Sequence, residues 1–303
     1  SWAGGLRRYG PLYTGQESWQ IIPLPMDTDT SLMCGLINLN TYEINPKDPW
    51  NGKEEYDNTT GTYGNHNHKG FSVYVDDNTV WTGTANGINK GIIEGDCINW
   101  EHHYTSTWNN ISGNWVIGFT NQKLENGTDR LWAITWAGEG NNEKNALSYT
   151  DDGGETWQIS SPSSYSEKVY NLYANENRIW AATASGLYVS EDGQHWERYP
   201  QPKDQNTGEE ILRKQVLSVY SDINNWLWLG TAEGVALSND DGINWTIHKF
   251  WEPTVFKDKE KMLTVYPNPF YPDEHGGHVR FVYSNPFGHS GKINIFDFSM
   301  DQV

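Results

Sequence analysis

One recurring phrase does most to limit what this chain can fold into. An apolar residue, a tryptophan, small residues, then glycine and another apolar residue return along its length. The phrase reads Val80-Trp81-Thr82-Gly83-Thr84-Ala85-Asn86-Gly87-Ile88, then Ile179-Trp180-Ala181-Ala182-Thr183-Ala184-Ser185-Gly186-Leu187, then Leu227-Trp228-Leu229-Gly230-Thr231-Ala232-Glu233-Gly234-Val235. A looser copy is Leu131-Trp132-Ala133-Ile134-Thr135-Trp136-Ala137-Gly138. The tryptophans stand 51, 48 and 48 residues apart (81 to 132, 132 to 180, 180 to 228). Such even spacing marks a structural repeat, in which each unit buries its faces against its neighbours.

An alternating run precedes each copy: Phe71 to Val75, Trp115 to Phe119, Val169 to Tyr173 and Val216 to Tyr220. Period-two alternation of β-branched and aromatic residues predicts strands. Polar turns such as Asp76-Asp77-Asn78 and Asn175-Glu176-Asn177 separate run from phrase, so each pair predicts a hairpin. The 16 Trp and 17 Tyr, against 4 Met, suit half-buried pleated surfaces.

A third motif follows each phrase. Thr150-Asp151-Asp152-Gly153-Gly154-Glu155-Thr156-Trp157 fits S/T-x-D-x-G-x-T-W throughout, and Ser238 to Trp245 fits except at the Thr. Val189 to Trp196 departs further, with Val189 at the Ser/Thr place and Glu191 at the Asp place. Ile93 to Asn99 keeps little beyond Trp100, and Thr14 to Trp19 reads as a decayed copy. In this motif Asp152 and Asp240 are expected to accept backbone N–H bonds. Gly154, Gly193 and Gly242 supply a positive φ, and Trp157, Trp196 and Trp245 pack back on the sheet.

These lines resemble the Asp-box (BNR) repeat propellers, a group that includes sialidases, xyloglucanase-type glycosidases and many non-enzymatic surface proteins. The resemblance covers residues 1–252 and implies an all-β fold: a β-propeller of four-stranded antiparallel blades. About five blade endings are visible. The expectation is part of a larger ring, seven blades being the expected number, with a compact five-bladed ring the alternative. Residues 26–69 read as a long insertion and a candidate binding surface.

The pattern changes after Phe250. Residues 253–261 read as a linker, and 262–303 as the start of a second domain. Val265-Tyr266-Pro267-Asn268-Pro269-Phe270 and Ile293-Asn294-Ile295-Phe296-Asp297 resemble the Ig-like C-terminal domains of secreted Bacteroidetes-like proteins, some of which direct type IX export. That resemblance implies a partial Ig-like β-sandwich and an extracellular or outer-surface location in a bacterium.

The net charge of −18 disfavours nucleic acid and anionic membrane surfaces as partners. No apolar run approaches the ~20 residues that span a bilayer. Cys34 and Cys97 could pair in an oxidising compartment or remain two thiols. Seven arginines, none on an inner strand, argue against the arginine triad of a sialidase. Acids such as Asp76, Asp77, Glu139, Glu143 and Asp222 read mainly as turn residues, against the paired carboxylates of a glycosidase. His66, His68 and His102 are the candidate metal ligands. The repeat tryptophans read as core, which leaves Trp50, Trp108, Trp115, Trp136, Trp226 and Trp251 as candidate ligand contacts. No cofactor is implied. The reading is a non-catalytic binding or scaffold module at the cell surface, with a protein or glycan partner. A glycoside hydrolase and a structural subunit of a larger extracellular complex are the alternatives.

Overall fold

In the computed structural model, the residues described are 5–10, 18–27, 29–33, 66–95, 97–138, 140, 142–206, 208–249, 263–266, 271, 279–283, 292–296, 299 and 301–302. The chain divides into two compact units, Ser1–His248 and Lys249–Val303.

Unit one begins with an antiparallel pair, β1 (Leu6–Gly10) and β2 (Ser18–Ile22). Four four-stranded antiparallel sheets follow, each with its strands in chain order. Blade 1 is β3 (Gly70–Asp76), β4 (Thr79–Thr84), β5 (Gly87–Glu94) and β6 (Cys97–Tyr104). Blade 2 is β7 (Trp115–Lys123), β8 (Asp129–Trp136), β9 (Ala146–Thr150) and β10 (Gln158–Ser160). Blade 3 is β11 (Val169–Ala174), β12 (Ile179–Thr183), β13 (Leu187–Ser190) and β14 (Glu197–Arg198). Blade 4 is β15 (Val216–Ser221), β16 (Leu227–Thr231), β17 (Gly234–Ser238) and β18 (Thr246–Lys249). The first strands β3, β7, β11 and β15 lie against one another in succession, as the inner strands of propeller blades do.

The four repeat tryptophans hold one register. Trp81 lies between Tyr74 and Lys90, Trp132 between Thr120 and Tyr149, Trp180 between Tyr173 and Val189, and Trp228 between Tyr220 and Leu237. Each first strand also carries a register shift near its start, at Phe71, Ile117, Tyr170 and Leu217. Bulges bend a strand and re-aim its side chains.

After each bulge, one of the two residues that face each other across the first and second strands is Gly or Ala, leaving room for the other. Ser72 faces Gly83, Gly118 faces Ile134, Asn171 faces Ala182 and Ser218 faces Gly230. A Cβ on Gly83 or Gly230 would come within 2.3 Å of the facing serine Oγ.

Inner strands have an unpaired edge whose backbone groups need partners. Side chains of the preceding blade supply them. Ser72 Oγ donates to Val116 O (2.8 Å), Thr120 Oγ1 to Leu172 O (3.2 Å), and Val219 N donates to Asn171 Oδ1 (2.8 Å).

Three blades close their last hairpin with an aspartate-centred turn. In blade 2, Asp152 accepts from Thr156 N and Oγ1 (2.9 and 2.6 Å), and Gly154 N donates to Thr150 Oγ1 (2.8 Å). Blade 4 repeats this with Asp240, Asn244, Gly242 and Ser238. In blade 3 the sequence alignment is displaced. Ser190 and Asp192, not Val189 and Glu191, take the hydroxyl and carboxylate roles, because the turn is one residue shorter. Gly193 and Trp196 keep their places. Blade 1 has instead a long β5–β6 hairpin through Gly95, with Trp100 fully buried.

In each interface the tryptophan of one blade meets the turn of the next. Trp81 contacts Trp157 edge-on at 6.0 Å, and Trp132 contacts Trp196 at 6.5 Å. Trp180 shares a core cluster with Trp245. Glycine is required where the turn touches the ring. A Cβ on Gly154 (φ 100°) would stand 2.9 Å from Trp81, and one on Gly193 (φ 79°) 2.6 Å from Trp132.

Before blade 1, β1–β2 takes the place of a preceding blade. Ile22 and Leu24 pack with Val80, Ile98 and Trp100, and Trp100 Nε1 donates to Pro23 O (2.7 Å). Leu32 forms an isolated antiparallel bridge to Trp100. Residues 34–65, with Cys34 and Trp50, lie outside the described residues. Cys97 is disulfide-bonded.

In unit two, β19 (Leu263–Tyr266) and β20 (Arg280–Tyr283) form an antiparallel pair. The expected strand at 292–296 carries a single bridge, Phe296 to Gln302.

Candidate binding surface along the inner strands

The bulges bring together side chains that the repeat does not explain. β7 and β8 pair Trp115 directly with Trp136. Trp115 meets Phe71 of blade 1 edge-on at 5.9 Å. Trp136 meets Tyr170 of blade 3 at 6.0 Å. Phe71 and Tyr170 occupy the same bulge position, so four half-buried aromatic rings run across three consecutive blades at one level.

This strip is braced by its neighbours. Trp136 Nε1 donates to Val169 O (2.7 Å), and the Lys168 ammonium lies 4.3 Å over its ring. Gln215 Nε2 donates to Tyr170 Oη (2.9 Å). A Cβ on Gly138 would stand 2.9 Å from Trp115 Nε1, so glycine lets the loop after β8 lie against that ring. The same loop is held by Glu143, which accepts from Asn114 N (2.9 Å), Asn114 Nδ2 (2.8 Å) and Gly138 N (2.6 Å).

The nearby carboxylates are therefore structural. Glu143 already accepts from three N–H donors. Glu167 accepts from Ser163 and from Thr183 Oγ1 (3.0 Å). Burial alone would raise its pKa, but these hydroxyl bonds outweigh it and hold the carboxyl below its ordinary value. A carboxyl kept ionised in this way is poorly suited to act as a general acid. Asp77 (φ 48°) and Asp222 are turn residues, as expected, and Asp222 accepts from Asn224 N and Trp226 N.

The other candidate aromatics lie apart from the strip. Trp108 is exposed in the turn between β6 and β7, and Trp226 is exposed just before β16. Trp50 and Trp251 lie outside the described residues, as does Glu139.

Among the described residues the candidate histidines are not gathered into a metal-sized group. His66 and His68 sit in a 3-10 turn, not in the extended segment that would align them. Asn67 between them is fully buried, its N–H on Asp27 Oδ1 (2.7 Å) and its amide joined to Pro25 O, Thr84 and Asn89. This stretch is an anchor on blade 1, through Thr84 and Asn89. His68 has its pKa lowered, chiefly by burial, with Asp27 opposing. His102 lies on β6, stacked on Tyr104 at 5.6 Å. Among the described residues no three His, Cys, Asp or Glu side chains converge on a metal-sized site.

Sequence signals for this strip were partial. Trp115 and Trp136 stand out in the sequence as off-repeat tryptophans, whereas Phe71 and Tyr170 read as ordinary strand residues. Their role follows from the bulge, which no residue pattern announces.

No protein-family model matches the chain, and no curated protein matches it. Solved β-propeller structures do resemble it. PorZ, a surface component of the type-IX secretion system of Porphyromonas gingivalis, is 14% identical over 62% of this chain and 28% of its own, with a TM-score of 0.43. A virginiamycin B lyase from Staphylococcus aureus is 18% identical over 61% and 56%, at 0.42. The extracellular domain of a hybrid two component system from B. thetaiotaomicron is 18% identical over 60% and 28%, at 0.36. The chain spans less than a third of PorZ and of that extracellular domain. Among the described residues no helix is long and apolar enough to cross a membrane.

Proposed function

We propose that the chain is a non-catalytic binding module of the Asp-box propeller kind, working outside the cell. It takes a surface glycan or protein segment across the strip of Phe71, Trp115, Trp136 and Tyr170. The observation that carries this reading is the bracing of Trp115 and Trp136, each half-buried and fixed by a bond, ring or backbone contact. Rigid aromatic faces bind at low entropic cost, and a few fixed polar groups beside them give orientation. Lys168 and Gln215 are those groups. The disulfide at Cys97 suits an oxidising compartment. The engaged carboxylates favour binding over glycoside hydrolysis.

The test is a glycan array together with affinity capture from a surface fraction, using the full chain. Trp115→Ala and Lys168→Ala should weaken binding by roughly tenfold each, as hot-spot truncations do, with the far-UV spectrum unchanged. A ligand whose affinity ignores both substitutions would place the binding surface elsewhere. Hydrolysis of a captured glycan would turn the reading toward an enzyme.

A further inference from the structure

Three successive interfaces in unit one are built alike. A tryptophan on the second strand of one blade meets the turn tryptophan of the next: Trp81 with Trp157, Trp132 with Trp196, Trp180 with Trp245. A cation on the first blade of each pair then reaches the turn of the second. Lys90 Nζ donates to Gly153 O (2.9 Å), Arg130 Nη1 to Asp192 O (3.2 Å), and Arg178 Nη1 to Asp241 Oδ2.

On blade 4 the same face receives no turn tryptophan from another blade among the described residues, although Tyr220 meets Tyr173 of blade 3 edge-on at 5.4 Å. Trp228 keeps the repeat register, yet it is 37% exposed where Trp180 is 3% exposed, and Tyr220 opposite it is 59% exposed. The cation is absent. Trp226 stands where blades 2 and 3 have Arg130 and Arg178. A carboxylate, Asp222, borders the face and accepts from Trp228 Nε1 (3.1 Å).

The complementary half is also uncovered. On the β1–β2 pair, Tyr9 lies directly opposite Trp19, ring to ring edge-on at 5.7 Å. Trp19 is 66% exposed and Tyr9 56%, and Arg7 shares the exposed side of β1 with Tyr9. In the sequence Trp19 ends the decayed copy of the motif whose tryptophans fill the three internal interfaces. Arg7 is a cation on the inserting side, where blade 4 lacks one on the receiving side. The pair packs on blade 1 through Trp100, with blades 2 and 3 between it and blade 4, so both halves are exposed in the same molecule.

We propose that these two halves meet between two copies of this chain: the β1–β2 pair of one copy seats Trp19 and Tyr9 on Trp228 and Tyr220 of the other, with Arg7 facing Asp222. The contact is heterologous, so a closed dimer uses it twice and an unclosed one propagates.

Sedimentation and light scattering of the full chain at rising concentration test this. The wild-type chain should self-associate in the micromolar range. Trp19→Asp and Trp228→Asp should each weaken association by at least about tenfold, as loss of a central aromatic anchor does. Both are surface substitutions, and the far-UV spectrum and melting temperature should stay as in the wild type. Mixing the two variants is decisive. The first retains an intact receiving face and the second an intact pair, so the mixture should form a heterodimer through one restored contact. A wild-type chain that stays monomeric throughout would overturn the proposal and leave closure within one chain, or another partner, to cover these faces. Association that the variants do not weaken, or that the mixture does not restore, would overturn it equally.

Discussion

Blades 2 and 4 carry the same phrase in the same register, and their tryptophans meet opposite fates. Trp132 has no exposed surface, whereas Trp228 has more than a third. Local sequence places both rings on the same face of their sheets. What differs is the neighbour, since blade 3 brings Gly193 and Trp196 onto Trp132 and no described blade does this for Trp228. The polar caps follow the surroundings. Trp132 Nε1 donates to the neutral amide of Gln122 (2.9 Å) in the interior, and Trp228 Nε1 to the carboxylate of Asp222 (3.1 Å) at the surface. A buried charge without a partner is costly, so the amide belongs inside. Burial in a repeat fold is thus a property of the interface rather than of the unit.

The sharpest way to break this comparison is to truncate both rings. Trp132→Ala should cost about 3–5 kcal/mol, the range for a large ring removed from a close-packed core. Trp228→Ala in the monomer should cost clearly less, because more than a third of its surface already meets water. Equal losses in urea denaturation would mean that the two faces are packed alike and that the comparison is wrong.

The turns give the next largest effect. Gly153 and Gly154 both have positive φ, but only at Gly154 would a Cβ meet neighbours, Trp81 and the Tyr104 hydroxyl. Gly153→Ala should cost about 1 kcal/mol, for the left-handed backbone alone. Gly154→Ala should add overpacking of about 1–3 kcal/mol. Thermal melts of the two variants separate backbone strain from interface contact.

These contrasts also show how much was legible in the sequence. The tryptophan spacing carried the blades, because burial on both faces of a sheet demands the same residue at the same register each time. The turn of blade 3 was misaligned because it is one residue shorter, and hydrogen bonding chose Ser190 and Asp192 over residues that fit the consensus spacing. Of the aromatic strip, Trp115 and Trp136 were visible as departures from the repeat. Phe71 and Tyr170 were not, since a bulge changes where a residue points without changing what it is. Arg130 and Arg178 carry no signal in the sequence beyond lying off the inner strands. Their reach into the next blade is a tertiary fact that no local pattern encodes.

Those arginines sharpen the comparison further. Arg130 grips Asp151 through Nε and Nη2 (2.6 and 2.9 Å), reaches Asp192 O, and lies 4.3 Å over Tyr149. Arg130→Ala should cost about 1–2 kcal/mol, above an ordinary surface pair because the fork is bidentate and the stem is packed. Trp226→Arg places the same residue type at the equivalent point of blade 4. With no turn for it to grip in the monomer, it should change stability by less than about 0.5 kcal/mol. A gain of the size lost at Arg130 would show that this face is already covered.

The smallest effect is in the pH dependence of the turns. His195 takes the place held by Thr156 and Asn244 in the other two, and its Nδ1 pairs with Asp192 Oδ2 at 2.6 Å. That hydrogen bond, with the Asp192 charge, raises the His195 pKa above 6.5 and holds the Asp192 carboxyl well below its ordinary value. A raised pKa contributes stability that is fully present below the unfolded value and lost as the pH climbs through the folded one. Blade 3 should therefore loosen slightly on the alkaline side of 6.5. The blade 2 turn behaves oppositely. Burial works to raise the Asp152 pKa, but bonds from Thr156 and Thr150 bring it down to about 2. Its contribution is present above the ordinary 3.8 and fades as the pH falls toward 2. Proton NMR of His195 would measure the first effect directly, with Asp192→Asn returning its pKa toward 6.5. A wild-type value already at 6.5 would mean that the exposed pair is fully screened and that the three turns share one pH response.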